Sequence, residues 1–331
     1  MTGAPLDGVR VLDFSTLLPG PLATLYLVQA GAEVIKIERP GVGDPVRSYP
    51  PFQEGKSILF ELLNSGKHSV ALDLKDPALR SKLLELVRSV DVLVEQFRPG
   101  VMARLQLDFD SLRTVHPELI YCSISGYGQH GARNQVVGHD LNYQAWAGLL
   151  ALAGEHDGRR IVPALIADIA GGAHAAVINI LLALRSREQT GQGCYLDIAM
   201  TDGLFPFMLS AFANWVAGNA VPDAGNDLLT GGSPRYQLYR TADGRHLAAA
   251  PLEEHFWQRF AELIRLPEGS RSQGADPETV REMVAGIIAA ESAAYWEARF
   301  EGEDVCLSLI HISEPTRRYA ISYAVLGVKK K

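Results

Sequence analysis

Cysteine is scarce. Three occur in 331 residues (Cys122, Cys194 and Cys306), widely spaced and with no C-x-x-C pair. That excludes a disulfide framework and points to reduced thiols in a cytoplasmic protein, packed as small buried hydrophobes. Excess positive charge is also missing. The formal net charge is −7, whereas a nucleic-acid footprint needs a basic patch. No run reaches the roughly 18 apolar residues of a membrane-spanning helix, and the short polar opening M-T-G-A-P-L-D-G-V-R reads as no secretory signal. With no H-E-x-x-H and no Cys/His cluster, no metal site is expected. No G-x-G-x-x-G follows the first strand-like run, so a dinucleotide site is not expected either.

What is present is an ordinary globular composition. Apolar residues make up 47% and charged residues 21%, as usual for a sizeable core, and the length suffices for two modest domains or one large one with an excursion. Short β-branched runs at Gly8–Asp13, Glu33–Glu38, Ser69–Asp73, Asp91–Glu95 and Leu119–Ile124 predict five strands. Between them, Leu22–Ala30, Pro77–Val90 and Ser111–Val115 predict helices, the first closed by Gly31. Residues 41–56, rich in Gly and Pro, predict a loop. This alternation argues an open, mostly parallel sheet. Further on, apolar helices are predicted over Leu141–Ala151, Gly171–Arg187 and Thr201–Ala217, with a strand at Cys194–Met200. Asp243-Gly244 predicts a hairpin turn within 234–250, followed by helices at Glu254–Ile264 and Pro277–Phe300.

The last stretch is unlike the rest. L-S-L-I-H-I-S-E-P-T-R (307–317), I-S-Y-A-V-L (321–326) and the terminal Lys329-Lys330-Lys331 resemble a translated transposase-type sequencing adapter. Residues 307–331 are therefore expected to be a non-native read-through tail, excluded from fold reasoning. Discounting them leaves the remainder more acidic still.

Two segments carry candidate chemistry. Gly138-His139-Asp140-Leu141-Asn142-Tyr143 supplies an imidazole, whose proton affinity lies near working pH. Ile161-Val162-Pro163-Ala164-Leu165-Ile166-Ala167-Asp168 ends on a carboxylate just before Gly171-Gly172. Two such groups converging on one carbon can take a proton from one face and return it to the other, as a racemase does. A capping histidine and an N-cap aspartate are the plainer readings, and for Asp168 both roles can hold together.

A series of strings in order resembles the class III CoA-transferase superfamily (CaiB/BaiF type), in its α-methylacyl-CoA racemase branch. They are G-V-R-V-L-D-F (8–14), L-P-G-P (18–21), G-A-E-V-I-K-I-E-R-P (31–40), G-D-P-V-R (43–47), N-S-G-K-H-S-V-A-L-D-L-K (64–75), D-V-L-V-E-Q-F-R-P-G-V-M (91–102), S-G-Y-G-Q-H-G (125–131) and G-H-D-L-N-Y (138–143). The resemblance spans about residues 6–306. It implies the α/β CoA-transferase III fold: a Rossmann-like open parallel sheet in a large domain, plus a smaller α+β domain. The expected division is 1–195 for the large CoA-binding and catalytic domain, 196–232 for a connecting helix and linker, and 233–306 for the small domain.

The resemblance implies His139 and Asp168 as the proton-transfer pair of a 2-methylacyl-CoA epimerisation through an enolate. Backbone N–H groups near Asp140 would stabilise the oxyanion. It implies Glu253 as the carboxylate supporting His139, although a helix-start acid reads the same way and Glu254 is the neighbour it could be confused with. Asp140 and Tyr143 are implied near the thioester, and Arg39, Arg98 and Lys75 (with Lys67) at the CoA phosphates or adenine. No cofactor is implied, since CoA is part of the substrate. Partners are the acyl-CoA and, with a complete family C-terminus, a second copy in an interlocked homodimer; neither nucleic acid nor membrane is implied. Two rivals stand. One is a true CoA transferase with Asp168 as nucleophile, disfavoured by His139 and by a glycine loop reduced to Leu229-Thr230-Gly231-Gly232-Ser233. The other is an inactive truncated CoA-binding fragment. The acyl group is not legible.

Overall fold

The structure, a computed structural model, describes residues 3–155, 158–272 and 274–310. The described residues form two compact units, one of 3–147 and 163–208, the other of 148–162 and 209–310.

The first unit is built on six parallel strands: β1 (Arg10–Asp13), β2 (Glu33–Glu38), β3 (His68–Ala71), β4 (Val92–Glu95), β5 (Ile120–Ser125) and β6 (Tyr195–Ala199). Their spatial order is β6-β5-β4-β1-β2-β3. The chain thus lays strands outward from β1 in one direction, then returns to β1 and continues in the other. In open α/β sheets the ligand crevice lies at the carboxyl ends of the strands where this reversal occurs, here β1 and β4. The central strands are apolar toward both faces, as parallel sheets require. Leu12 pairs with Ile35 on one side and Leu93 on the other. One face packs these residues with Tyr121 against Leu83 and Val87 of helix α2 (Arg80–Arg88) and against Leu107 and Leu112. Helix α1 (Pro19–Gln29) packs on β1 and β2 from the other side, where Thr24 bonds Asp13 at 2.6 Å. Truncating a core leucine such as Leu93 would cost about 2–5 kcal/mol.

Buried ion pairs pin the loops at the carboxyl ends of β1 and β2. Asp13 accepts from Lys67 (3.2 Å) and from the Ser15 N–H (2.8 Å), and Lys36 pairs with Asp44 at 2.9 Å. Glu38 takes both prongs of Arg47, at 2.8 and 2.7 Å. Burial pushes the Glu38 carboxyl up, but the bonds from Arg47, Ser69 and the Asp44 backbone outweigh it and hold the group at about 2. Burial likewise lowers Lys67 to about 8, against the pull of Asp13.

Two further helices of this unit bear on the clefts, α3 (Asp140–Ala147) and α4 (Ala175–Thr190). The second is led by a π-helical segment, Ala167–His174, so helix begins four residues before the expected Gly171. Gly171 and Gly172 are not a start signal. A Cβ on Gly171 would strike the Met200 carbonyl, and one on Gly172 would crowd Pro19. Asp168 lies inside the first turn, and the N-cap position belongs to Ile166, which corrects the N-cap reading. The expectation about apolar runs is corrected too. Ala167–Thr190 is long and apolar enough to cross a membrane, with mean hydropathy 1.6 over its best 18-residue window. In this fold it packs on the sheet through Ala176, Ile180 and Ala183, leaving Ile178 and Leu182 exposed.

The second unit has a three-stranded antiparallel sheet of β7 (Gln237–Arg240), β8 (His246–Ala249) and β9 (Leu307–Leu309), in that order. Asp243-Gly244 makes the β7–β8 turn, with Gly244 at φ 79°. Helices α5 (Glu254–Leu263), α6 (Pro277–Ala289) and α7 (Ala293–Phe300) cover it around Trp257, Phe260, Val284 and Trp296. The single helix predicted over Pro277–Phe300 is broken because Ser292 caps a new one, accepting from the Tyr295 N–H at 3.3 Å.

The units do not follow the expected divisions at 195, 232 and 306. β6 completes the large sheet, and residues 148–162 belong with the second unit. β9 pairs Leu309 with Leu247 and Leu307 with Ala249, so structure continues past Cys306. The rest of the expected tail, 311–331, lies outside the described residues. Of the cysteines only Cys122 is buried; Cys194 is half-buried and Cys306 exposed.

Candidate active site

The carboxyl ends of β4 and β5 open into a cleft of about 480 Å³ whose walls include Leu17, Arg98, Tyr127, His139, Tyr143 and Asp168. A second cleft of about 340 Å³ lies over the carboxyl ends of β1, β2 and β3, with Thr16, Arg39 and Lys75 in its wall. Phe97, two residues past β4, lines both. The two clefts therefore flank the reversal point of the sheet, as the strand order predicts.

His139 stands immediately before α3. Its carbonyl accepts the N–H groups of Asn142 (2.8 Å) and Tyr143 (3.2 Å), and its own N–H donates to the Asn142 side chain at 3.0 Å. This is the reciprocal half of a capping box, so the plainer capping reading and a functional one coexist. The backbone is thereby fixed while the side chain is exposed to the cleft. The glycines around it are steric requirements. The Tyr143 ring fills the space a side chain on Gly126 or Gly138 would need. The Tyr143 hydroxyl donates to the Gly138 carbonyl at 2.5 Å, and its ring meets Tyr127 edge-on at 5.3 Å. Burial, with the charges of Asp168 and Asp140 and the Tyr127 ring nearby, pushes Tyr143 up to about 12.

Asp168 is half-buried on the π-helical segment. Burial pushes its carboxyl up to about 6, Asp140 adds to the rise and His139 opposes it. A carboxyl poised near neutrality and an imidazole lining the same cleft can each exchange protons with a bound molecule at working pH. Among the described residues no cluster of three or more His, Cys, Asp and Glu could hold a metal ion.

A family model for CoA-transferase family III matches residues 6–318. The chain belongs to CoA-transferase family III. This class III chain is 34% identical to the α-methylacyl-CoA racemase of Homo sapiens over 313 residues, 92% of this chain and 77% of that protein. It is 33% identical to the acetyl-CoA:oxalate CoA-transferase of Acetobacter aceti, over 88% of this chain and 77% of the relative. Among solved structures it matches a CaiB/BaiF family protein from Brucella suis with TM-score 0.79 and 27% identity, over 98% of this chain and 86% of that one. Rv3272 from M. tuberculosis matches with TM-score 0.81 and 28% identity, over 95% and 87%. The fold is that of the CaiB/BaiF class III CoA-transferases.

In this class III fold, His139, Tyr143, Asp168 and Arg98 come together in one cleft, and Arg39 and Lys75 in the other. Two expectations are corrected. The Asp140 side chain is 4% exposed and turned inward. It accepts the Asp168 N–H at 2.9 Å and a bond from Gln144, so its carboxylate is not offered to the cleft. Lys67 is sealed beneath α1, bonded to Asp13, the Pro21 carbonyl and Asn64, and does not reach a phosphate. Glu253 belongs to the second unit, exposed at the N-cap of α5 with no side-chain capping bond; Arg235 pairs with Glu254 at 2.8 Å. Sequence reasoning missed Gln96, which accepts the Gly20 N–H at the start of α1 (3.0 Å) and lines the His139 cleft. It missed Tyr127 and Gln144 as well. The strings E-Q-F-R-P-G and S-G-Y-G held the first two, and Gln144 stands four residues after Asp140 on one helical face.

Proposed function

We propose that this class III enzyme handles acyl-CoA thioesters and acts as an α-methylacyl-CoA racemase. The observation that carries this reading is the single cleft shared by His139 and Asp168, in which the carboxyl is held near neutrality. One group removes the α-proton, leaving a planar enolate with its charge on the thioester oxygen. The other delivers a proton to the opposite face; the first then loses its proton to solvent and the second regains one from it, which restores both groups. The Asn142 and Tyr143 N–H groups go to the His139 carbonyl, which leaves those of Asp140 and Leu141, without an acceptor in the helix, suited to the oxyanion. Losing one such donor costs about 3–4 kcal/mol of barrier. No cofactor is required, since the thioester itself acidifies the carbon.

Arg39 and Lys75 supply cations for the CoA phosphates and adenine in the second cleft, and Arg98 does so at the mouth of the first. Tyr143 supports the wall against which the thioester lies. Glu253 is assigned its supporting role by resemblance, and Glu253→Gln tests it. The exposed apolar face of α4, with Ile178 57% and Leu182 64% exposed, is the surface we assign to a second copy in a homodimer. The compartment proposed is the cytoplasm.

A transferase reading is kept because the relatives at about one-third identity divide between racemase and CoA-transferase. There the Asp168 carboxylate attacks the thioester carbonyl, expels the CoA thiolate and forms a mixed anhydride. The deciding experiment incubates the enzyme with a 2-methylacyl-CoA in D2O without any acceptor acid. Deuterium uptake at the α-carbon that disappears in His139→Ala and in Asp168→Ala supports the racemase. No uptake, with a hydroxamate formed at Asp168 by hydroxylamine, replaces it with the transferase.

A further inference from the structure

Asp140 is one of five carboxylates buried in the first unit at 6% exposure or less; the others are Asp13, Glu38, Asp44 and Glu95. Asp13, Glu38 and Asp44 each pair with a cation, Lys67, Arg47 and Lys36, whereas Glu95 accepts from the Ser123 hydroxyl and the Phe97 N–H and Asp140 belongs with it. Among the described residues no Lys, Arg or His side chain bonds Asp140. Its oxygens are held by neutral donors alone. One accepts the backbone N–H of Asp168 at 2.9 Å. The other accepts from the Gln144 amide, which also reaches the Ala164 carbonyl at 3.4 Å. A buried negative charge with no counter-ion is costly to maintain, and here it stands directly beside the residue that carries the proposed chemistry.

We propose that Asp140 is a positioning residue for Asp168: its buried carboxylate pins the Asp168 backbone to α3 and places a negative group with no cation partner beside the Asp168 carboxyl. The inference rests on the reading of Asp168 as a proton-transfer group. It assigns the Asp140 carboxylate, as distinct from its backbone N–H, to the support of its neighbour. Geometry explains why the acid is placed there. Asp168 lies in the first turn of its helical segment, where backbone N–H groups have no intrahelical acceptor, and the Asp140 oxygen takes up that N–H.

The charges that reach Asp168 are those of Asp140 and His139, and its own charge reaches the Tyr143 hydroxyl. From the other elements packed on the π-helical segment, Tyr26 of α1 is engaged with His174 at 3.0 Å. Asp202 is exposed, and Asp197 of β6 accepts the Gln129 N–H. None of these groups offers Asp168 a second carboxylate in contact. Asp140 is the one whose removal should be felt.

The test reads Asp168 directly. Its 13C carboxyl resonance, assigned by its loss in Asp168→Asn, is titrated in the full chain without substrate. Asp140→Asn keeps an oxygen for the Asp168 N–H, and its amide can be met by Gln144 Oε1, which is buried without a partner in the wild type. The expected result is a titration lowered by about one unit, with the matching limb of the exchange pH profile moving by the same amount. Gln144→Met, which strips the donor from Asp140 and leaves its charge unscreened, should move the titration upward. If Asp140→Asn does not fold, the sign of the Gln144→Met shift decides alone. An unchanged titration in either folded variant overturns the proposal. Because the titration needs no substrate, its outcome is independent of whether α-proton exchange is found.

Discussion

Tyr143 lays its ring where a side chain on Gly126 would have to go, and its hydroxyl donates to the Gly138 carbonyl at 2.5 Å. One aromatic residue thus ties the loop after β5 to the segment that carries His139. Gly126→Ala would push the ring off both glycines. The expected cost is about 1–3 kcal/mol of stability from overpacking, with a fall in α-proton exchange larger than the fall in Tm alone explains, because His139 is displaced with the ring. Thermal melts and exchange rates on the same preparation check both. Unaltered exchange in a destabilised Gly126→Ala protein would show that the ring does not position His139.

Asp168 makes stability depend on pH with a definite sign. Its folded-state value is raised from 3.8 to about 6, by burial first and then by Asp140. A raised acid stabilises the fold below its unfolded value and loses that contribution as pH rises through the folded value. Wild type should therefore lose stability relative to Asp168→Asn between pH ~4 and ~6 and show no further divergence above ~7. Two units correspond to about 3 kcal/mol at most, and the solvent that reaches this half-buried group reduces that to about 1–2 kcal/mol. Urea midpoints of both proteins at pH 4 and 7.5 measure the difference, and a gap that widens in the opposite direction rejects the sign.

The cations of the clefts should control binding and leave the chemical step alone. Arg39 and Arg98 are exposed, so neither supports the fold. A charge-assisted bond to a phosphate contributes about 1.5–3 kcal/mol. Arg39→Ala and Arg98→Ala should accordingly raise KM for the thioester roughly tenfold to a hundredfold while kcat changes little. Added salt should narrow the gap to wild type, because it screens the contact that the variants lack. A change confined to kcat would place these residues at the reacting atoms instead.

Much of this was legible because the evidence for it is local. The six strands follow from short β-branched runs, each found within a residue or two of its expected place. The glycines in the strings around His139 and Asp168 are demanded by contacts with Tyr143 and Met200. What escaped depends on distance along the chain. Nothing near Ala167 announces a π-helical segment, and Gly171 within it packs against Met200 and Gly203, more than 25 residues away. Asp140 reads as a substrate residue in a motif, and only the fold turns its carboxylate toward Asp168. Residues 148–162 carry no composition break that would reveal their place in the second unit. Lys67 looks like any loop cation until α1 and Asp13 close over it.

The segment after Cys306 offers the sharpest disagreement between composition and structure. Leu307–Leu309 reads as the start of an adapter-like tail, yet it pairs with β8 and sets Leu309, 8% exposed, into the core that holds Trp257, Trp296 and Val305. An edge strand adds backbone bonds wherever it lies, so pairing alone does not show that the side chains matter. The buried leucine does. Leu309→Ala should destabilise the protein by about 2–3 kcal/mol, the lower part of the range for a buried leucine, because one side of the residue faces the sheet edge. Ser308, exposed on the same strand, is the control, and Ser308→Ala should change stability by less than about 0.5 kcal/mol. Trp257 and Trp296 are almost fully buried, so their fluorescence reports unfolding around this strand. Equal midpoints for Leu309→Ala and Ser308→Ala would mean that the core of the second unit closes without β9.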